Sequence, residues 1–279
     1  MIQPAFRKRN GAAPGALLIL VLLLWSAVSI PADSVASQQP LRPPAVPLVT
    51  HDPYFSIWSP ADKLTDADTM HWTGKPQRLT SLVRIDGKAF RIMGKSPAEL
   101  PALPQKGLEV TPTRTIYTFE EKGVRLSLTF LTPALPEDLD VLSRPVTYLT
   151  WEARATDGQE HEVSFALDAC GEIAVDQPAQ EVRHTADTSD PDLGVLKLGS
   201  SEQAILREKG DDLRIGWGYF YVAIPASQGP SYCHARLNET NKPSVDYLSP
   251  GPASQVRLHA GFDLRDKKVG AKPVCRWLM

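Results

Sequence analysis

Short runs in which apolar and polar residues alternate recur along this chain, and glycine-containing turns separate them. The clearest run is Val124–Leu131, where Val124, Leu126, Leu128 and Phe130 alternate with polar side chains. A period of two places the apolar side chains on one face of a strand and the polar ones on the other. Chains that repeat this pattern fold as antiparallel sheets with one face buried and one face in water.

Turns between such runs predict β-hairpins. Asp86-Gly87 lies within the alternating segment Arg78–Gly94 and supplies the positive φ angles of a tight turn. Two further hairpins are predicted, one from Thr113–Phe119 and Val124–Leu131, the other from Val146–Ala155 and Glu162–Asp168 around Asp157-Gly158. Other predicted strands are Val195–Leu198, Ala204–Glu208, Leu213–Trp217, Phe220–Ile224 and Gln255–Leu264, and Pro136–Leu142 predicts one helical turn. Together they predict an all-β fold, an antiparallel β-sandwich over residues 48–264.

The N-terminal residues have a different composition. Arg7-Lys8-Arg9 precedes the apolar run Ala16–Val28, and small residues follow at Ser34-Val35-Ala36. A basic start, a short apolar stretch and small residues predict a secretory signal peptide over residues 1–36. Residues 37–47 are proline-rich and predict an extended linker. We therefore expect an exported protein, periplasmic or extracellular, that has no membrane segment after signal cleavage.

The cysteines do not predict a disulfide framework. The chain has three, Cys170, Cys233 and Cys275, and an odd, sparse set is not a scaffold. Cys170 ends an apolar strand pattern, where a buried free thiol is favoured. A Cys170–Cys233 disulfide remains an alternative, because sequence does not give the distance between the two residues.

No residue pattern predicts a familiar catalytic or metal centre. The net charge of −2 and scattered basic residues disfavour nucleic-acid binding. His51-Asp52 and the acids near His71 have the spacing of no common metal motif, and we expect turn and cap carboxylates there. The adjacent acids Glu120-Glu121, Glu137-Asp138 and Asp211-Asp212 occupy predicted turns, where carboxylates are usually solvated. We expect no metal and no cofactor.

Aromatic side chains are concentrated in two places. The turn-rich segment Pro47–Gly94 carries several, and they either fix the loop to the protein or contact another molecule. In the run Trp217–Tyr221, alternation predicts that Trp217, Tyr219 and Tyr221 share one face. These rings either fill the core or an interface, or they form a platform on which a sugar stacks. The candidate binding or domain-interface residues are Tyr54, Trp58, Asp66, His71, Trp72, Trp217 and Tyr219.

Five segments of the chain together carry a resemblance to a known family. They are PYFSIWSPADKL (Pro53–Leu64), HWTG (His71–Gly74), LVRIDGKAFRIMG (Leu82–Gly94), TRTIYTFEEKGVRLSLTFLTPALPEDL (Thr113–Leu139) and WGYFYVAIP (Trp217–Pro225). In this order and spacing they resemble the N-terminal half of the secreted glutaminase A family. The resemblance implies a β-sandwich placed ahead of an α/α-toroid domain. It also implies an amidohydrolase that converts L-glutamine to glutamate and ammonia, with its catalytic machinery mainly in the helical domain.

The last segment, residues 265–279, departs from that pattern. RDKKVGAKPVCRWLM is expected neither to continue the strands nor to begin a helical repeat. We therefore expect a truncated member that carries the sandwich alone, has no catalytic residue and is itself inactive. Its expected partner is the missing C-terminal helical domain or a separately encoded one, or else a glutamine-like or saccharide small molecule.

Two alternatives to the inactive sandwich remain. In the first alternative, the chain is a stand-alone carbohydrate-binding module in which sugars stack on Trp58, Trp72 and Trp217. In the second it is an active hydrolase that uses the loop carboxylates and His71.

Overall fold

A computed structural model describes residues 42–187, 189–228, 231–237, 251–263 and 268–279. All of them belong to one unit that begins at Pro40, and the predicted signal peptide lies outside the described residues. Among the helices of the described part, none is long and apolar enough to cross a membrane.

Two five-stranded antiparallel sheets form the body of the fold. In sheet 1 the strand order is β13 (Ser231–Leu237), β15 (Val256–Asp263), β9 (Val163–Cys170), β3 (Leu79–Ile85) and β4 (Lys88–Met93). In sheet 2 the order is β16 (Val274–Leu278), β8 (Tyr148–Ala155), β7 (Val124–Leu131), β6 (Arg114–Glu121) and β5 (Gln105–Thr111). The prediction of an all-β antiparallel sandwich is confirmed.

Two smaller sheets flank this body. Sheet 3 has the order β12 (Phe220–Pro225), β11 (Leu193–Ser200), β10 (Glu181–Asp187) and β14 (Gly251–Pro252), and β1 (Val46–Asp52) pairs with β2 (Phe55–Ser59). Met279 exchanges two backbone hydrogen bonds with Ala223, so the edge of sheet 2 is joined to sheet 3. A single helical turn, α1 (Leu139–Leu142), follows β7, as predicted.

The core lies where the inner faces of sheets 1 and 2 meet. Trp151 of β8 is fully buried, with its ring centroid 6.0 Å from that of Phe165 and 5.9 Å from that of Phe262 on sheet 1. Its indole N–H donates to Ser81 Oγ at 3.1 Å, which satisfies the polar atom that burial would otherwise leave unpaired. The alternating apolar residues of Val124–Leu131 are all buried, as the sequence pattern predicts.

Two of the three predicted hairpins are confirmed, and the third is wrong. β3 pairs with β4 around Asp86-Gly87, and β6 pairs with β7. β8 pairs with β7 and β16 in sheet 2, whereas β9 pairs with β3 and β15 in sheet 1. The turn at Asp157-Gly158 thus carries the chain from one sheet to the other. A turn signal predicts that the chain reverses direction there. It does not determine which strand each flanking segment pairs with.

Other strand predictions also fail. Residues 201–219 contain no strand, so the strands predicted at Ala204–Glu208 and Leu213–Trp217 are wrong. The expectation that the strand pattern stops before residue 265 is wrong too, since β16 pairs with β8. β1 and β2 lie in the segment interpreted from sequence as linker and loop, because prolines and turn residues interrupt their alternation.

Cys170 is a buried free thiol, as favoured from sequence, and burial raises its pKa to about 11. Its strand β9 is separated from β13, which carries Cys233, by β15. Two strand spacings amount to roughly 9.6 Å, more than the Cα separation that a disulfide spans.

Candidate functional site

An apolar cleft of about 710 Å³ opens between the two main sheets on the side where sheet 3 attaches. Its walls come from every sheet of the fold: Leu79 and Leu167 from sheet 1, Phe130 from sheet 2, and Val195 from sheet 3. Further lining residues are Val49, Phe55, Ile57, Leu149, Ile173, Phe220 and Val222. A cleft with predominantly apolar walls and few polar groups is the usual form of a ligand or domain contact site.

The few polar side chains that line the cleft include His51 and Thr147. His51 stacks on Phe55, with ring centroids 5.9 Å apart, and its Nε2 lies 3.3 Å from Thr147 Oγ1. Thr147 Oγ1 is in turn 2.6 Å from Thr132 Oγ1. Burial lowers the pKa of His51, opposed by the charge of Asp52, so the imidazole is neutral near pH 7. The sequence patterns did not identify His51 as part of a cleft, because its partner Thr147 is 96 residues away.

The aromatic run after Gly216 forms one rim of the cleft. Trp217, Tyr219 and Tyr221 all line it, but so do Gly218 and Phe220 between them, so the predicted shared face stays a prediction. Lys197 Nζ lies 3.6 Å from the centroid of the Tyr219 ring, a cation–π contact. The same ring packs on Gly199, where an added Cβ would be 2.5 Å from Tyr219 Cδ1. Tyr219 is therefore in contact with two residues of β11.

Exposed leucines lie on the connection that leads from β7 to the cleft. Leu135 is 53%, Leu139 73% and Leu142 45% exposed, and the same connection continues to Pro145 and Val146 in the cleft wall. Three large apolar side chains exposed within eight residues add to the apolar surface that the cleft already presents.

His71 and Trp72 are fixed to the loop in front of β2. The Trp72 indole N–H donates to Pro53 O at 2.7 Å, and His71 Nε2 lies 3.0 Å from the same carbonyl. Since a carbonyl only accepts, the N–H of His71 is on Nε2, and Nδ1 accepts from Thr73 Oγ1 at 3.0 Å. Burial lowers the pKa of His71, which is fully buried. Both ring nitrogens thus have structural partners.

Trp72 and Tyr54 nevertheless present their rings to solvent. Trp72 is 54% and Tyr54 50% exposed, and both adjoin Pro53. Trp58 is partly buried, and its indole N–H donates to Ser56 Oγ at 3.0 Å. Asp66 is exposed and lies in the loop before His71. Of the predicted site residues, His71 and Trp72 meet at the Pro53 carbonyl, and Tyr54 follows Pro53 in the chain. Trp217 and Tyr219 line the cleft, and Trp58 and Asp66 belong to neither group.

Asp52 and Asp68 act as turn and cap carboxylates, as expected from sequence, whereas Asp62 forms an ion pair with Arg42. Asp52 Oδ1 accepts from the backbone N–H groups of Tyr54 and Phe55 at 2.7 and 3.1 Å. Asp68 Oδ1 accepts from Lys95 N at 2.9 Å. Across the described ranges, no three His, Cys, Asp or Glu side chains are grouped so that they could hold a metal ion.

A cluster of buried charged residues lies where residues 76–78, 170–176 and 212–215 converge. Glu172 is 2% exposed and accepts two hydrogen bonds from Arg78, at 2.8 Å from Nε and 2.6 Å from Nη2. Asp176 Oδ1 accepts from the backbone N–H of Arg214 at 3.2 Å. No sequence motif signalled this cluster, because its members come from segments about 95 and 40 residues apart.

Comparisons with known proteins relate most of the chain to glutaminases. Residues 23–104 match the family model described as domain of unknown function DUF4964, and residues 113–247 match the one described as domain of unknown function DUF5127. The chain is 26% identical over 209 residues to Glutaminase A of Aspergillus oryzae, an alignment that covers 72% of this chain and 30% of that protein. It is 25% identical over 159 residues to a protein named "Probable glutaminase" of Arthroderma benhamiae, covering 48% of this chain and 17% of that protein. The chain thus spans less than a third of the length of these relatives.

Proposed function

We propose, on the premise that this chain belongs to a glutaminase A-like family, that it is the β-sandwich portion of a glutaminase-type hydrolase. In this proposal the chain does not hydrolyse glutamine by itself. Its role is to contact and position a helical catalytic domain, encoded with it or separately.

The apolar cleft is the main observation that supports this proposal. A cleft of about 710 Å³ with apolar walls favours a protein partner over a polar substrate such as glutamine, whose charged groups lose their hydration on entering it. The exposed leucines at 135, 139 and 142 extend the apolar surface beside it. His71, the imidazole proposed from sequence for catalysis, has both ring nitrogens engaged in structural contacts. The aromatic rim at Trp217 and Tyr219 is the face that the helical domain contacts.

We also propose that the chain is exported, through the signal peptide over residues 1–36. Expression in a bacterial host followed by N-terminal sequencing of the secreted or periplasmic product tests this. The expected product begins at Ser37. Retention of the full chain in the cytoplasm would contradict it.

Ammonia release from L-glutamine tests the catalytic part of the proposal. The purified chain is expected to give no more ammonia than a blank without protein. A fusion of this chain to the portion of the Aspergillus oryzae glutaminase that lies outside the aligned region is expected to hydrolyse glutamine. Phe220→Asp, in the cleft, is expected to lower that activity, whereas Ile205→Asp, 68% exposed and outside the cleft, leaves it unchanged. Hydrolysis by the free chain that is lost in His71→Ala would overturn the proposal.

The exposed ring of Trp72 favours a second candidate function, carbohydrate binding. Its indole N–H is fixed by Pro53, so the ring is held in one orientation with half of its surface open, beside the exposed Tyr54. Sugars stack on such rigid aromatic faces. Titration calorimetry with oligosaccharides is then expected to show binding that Trp72→Ala abolishes and Tyr221→Ala retains. Absence of heat with a broad oligosaccharide panel would eliminate this candidate.

A further inference from the structure

A second cavity, of about 470 Å³, lies on the outer face of sheet 1. Successive side chains of a strand point to opposite faces, so the residues that alternate with the buried core residues of β3 and β9 form its floor. The floor residues are Thr80, Leu82 and Arg84 of β3, Ser164, Ala166 and Asp168 of β9, and Arg257 and His259 of β15. The apolar cleft is on the other face of sheet 1, where Leu79 and Leu167 line it.

The wall of this cavity is the loop of residues 96–100, which Arg91 holds in place. The Nη1 of Arg91 donates to Gly94 O at 2.9 Å and its Nε donates to Leu100 O at 3.0 Å, so the guanidinium joins the two ends of the loop. The backbone N–H of Arg91 also donates to Pro101 O at 2.8 Å. The floor and the wall are therefore fixed before a ligand arrives, which lowers the entropic cost of binding.

Two charged side chains in the cavity have no hydrogen-bond or ion-pair partner among the described residues. They are Arg84 on the floor and Glu99 on the wall, and both are exposed. Asp168, in contrast, lies between two basic side chains, 3.9 Å from Arg257 Nε and 3.2 Å from His259 Nδ1. The open charges are thus one cation and one anion. A ligand with one charge of each sign pairs with both and adds no net charge to the cavity.

The cavity is apolar between these charges. Leu82 and Ala166 are opposite each other in the centre of the floor, and Pro97 and Leu100 lie in the wall. Phe165 also lines the cavity, but its ring is buried in the core, so the described part of the cavity offers no open aromatic face for a sugar to stack on. An apolar chain fits this surface better than a ring covered with hydroxyl groups does.

We propose that this cavity binds a small dipolar ion, a molecule in which an apolar chain joins a carboxylate to an ammonium group, as in ω-amino acids. The Arg84 guanidinium donates to the carboxylate, and Glu99 accepts from the ammonium group. The chain of the ligand lies over Leu82 and Ala166. Because the site is on the opposite face of sheet 1 from the apolar cleft, it is independent of the function proposed above.

Titration calorimetry of the whole chain tests this site, at low ionic strength because salt screens exposed charges. The probes are γ-aminobutyrate and ε-aminocaproate, two dipolar ions of different length, and at least one is expected to bind saturably. Caproate and hexylamine each lack one of the two charges. We expect them to bind at least about tenfold more weakly, because each leaves a charged side chain of the cavity without its partner.

Variants of the lining residues locate the binding. Arg84→Gln and Glu99→Gln remove one charge each and are expected to weaken binding of the dipolar probe by at least about fivefold. Arg114→Gln and Glu109→Gln, at exposed positions of sheet 2, are the matched controls and are expected to bind as the wild type does. Ala166→Leu places a larger side chain on the floor and is expected to abolish binding.

Three results would overturn the proposal. The first is no saturable heat with either dipolar probe. The second is an affinity of the wild type for caproate or hexylamine equal to that for the dipolar probe. The third is an equal affinity for the dipolar probe in Arg84→Gln and Arg114→Gln, which would place the binding outside this cavity.

Discussion

His161 lies between two aspartates that come from different turns. Its Nδ1 is 2.7 Å from Asp86 Oδ2, and its Nε2 is 3.1 Å from Asp157 Oδ1. Both ring nitrogens donate to carboxylates only when the imidazole is protonated. The hydrogen bond to Asp86 accordingly raises the pKa of His161, against the opposing effect of burial. The same contact lowers the pKa of Asp86, and that of Asp157 is lowered first by the Gln159 N–H and then by His161.

These shifts predict how stability depends on pH. The contribution of His161 to the free energy of unfolding is fully present below its unfolded pKa of about 6.5. It is lost as pH rises through the higher pKa of the folded state. The contributions of Asp86 and Asp157 are present above about pH 4 and are lost as pH falls through their lowered folded values. We therefore expect the stabilisation that this cluster contributes to be largest between about pH 4 and 6.5 and to decline above that range.

The variant His161→Gln isolates the alkaline part of this profile. It removes the titrating group, so the decline above about pH 6.5 is expected to shrink, as thermal unfolding from pH 4 to 9 will show. His184→Gln is the control. Burial lowers the pKa of His184, so its contribution to stability is lost as pH falls and not as pH rises. An identical alkaline decline in His161→Gln and wild type would contradict this assignment.

Glu172 provides a second prediction for a single residue. Glu172→Gln removes the charge that pairs with Arg78 and leaves the guanidinium without its bidentate partner. Breaking a buried pair costs about 3–5 kcal/mol, but the Arg78 side chain is 31% exposed, so we expect about 2 kcal/mol. Urea unfolding measures this loss. The matched control is Glu120→Gln, whose partner Arg125 is 45% exposed, with an expected loss below about 1 kcal/mol.

Among the secondary-structure elements, β11 shows how one strand fixes the cleft rim. Gly199 is the position on which the Tyr219 ring rests, and an added Cβ would also lie 2.7 Å from Gly218 O. Gly199→Ala must displace the rim, and we expect a loss of about 1–3 kcal/mol in the free energy of unfolding. Gly194→Ala, in the same strand, meets its nearest atom at 3.9 Å and is expected to be neutral. Urea unfolding of both variants tests the comparison, and equal stabilities would show that the rim does not depend on this contact.

The strands also show which elements sequence can predict. Alternation and a local turn signal were enough for β3, β4, β6 and β7, because each hairpin partner lies within a few residues. β16 was missed, since its five residues carry no clear alternation and are stabilised by pairing with β8, about 120 residues away. Pairing over such distances depends on the whole sheet and leaves no local signal.

For the molecule as a whole, the open cleft predicts binding of an apolar dye in the native state. Anilinonaphthalene sulfonate fluoresces on exposed apolar surface, and we expect enhancement by the folded chain at neutral pH. Phe220→Asn removes apolar area from the wall and is expected to weaken dye binding by about fivefold, or about 1 kcal/mol. Ile205→Asn, outside the cleft, is the control. Equal dye affinity in the two variants would place the dye elsewhere.

The sequence by itself determined the class of fold and carried the resemblance to glutaminases. Period-two alternation depends only on neighbouring residues, and the five family segments are read directly along the chain. It also placed aromatic residues such as Trp72 and Trp217 among the candidates, because aromatic side chains are conspicuous in polar segments.

Only the tertiary structure decided what those candidates contact. It placed His71 and Trp72 in a loop contact at Pro53 and Trp217 in the cleft. It also placed Gln77 and Arg214 in a buried cluster that no sequence motif predicts. The physical reason is that a cleft or a buried ion pair is made by residues far apart in sequence, and their burial and distances arise only when the sheets pack.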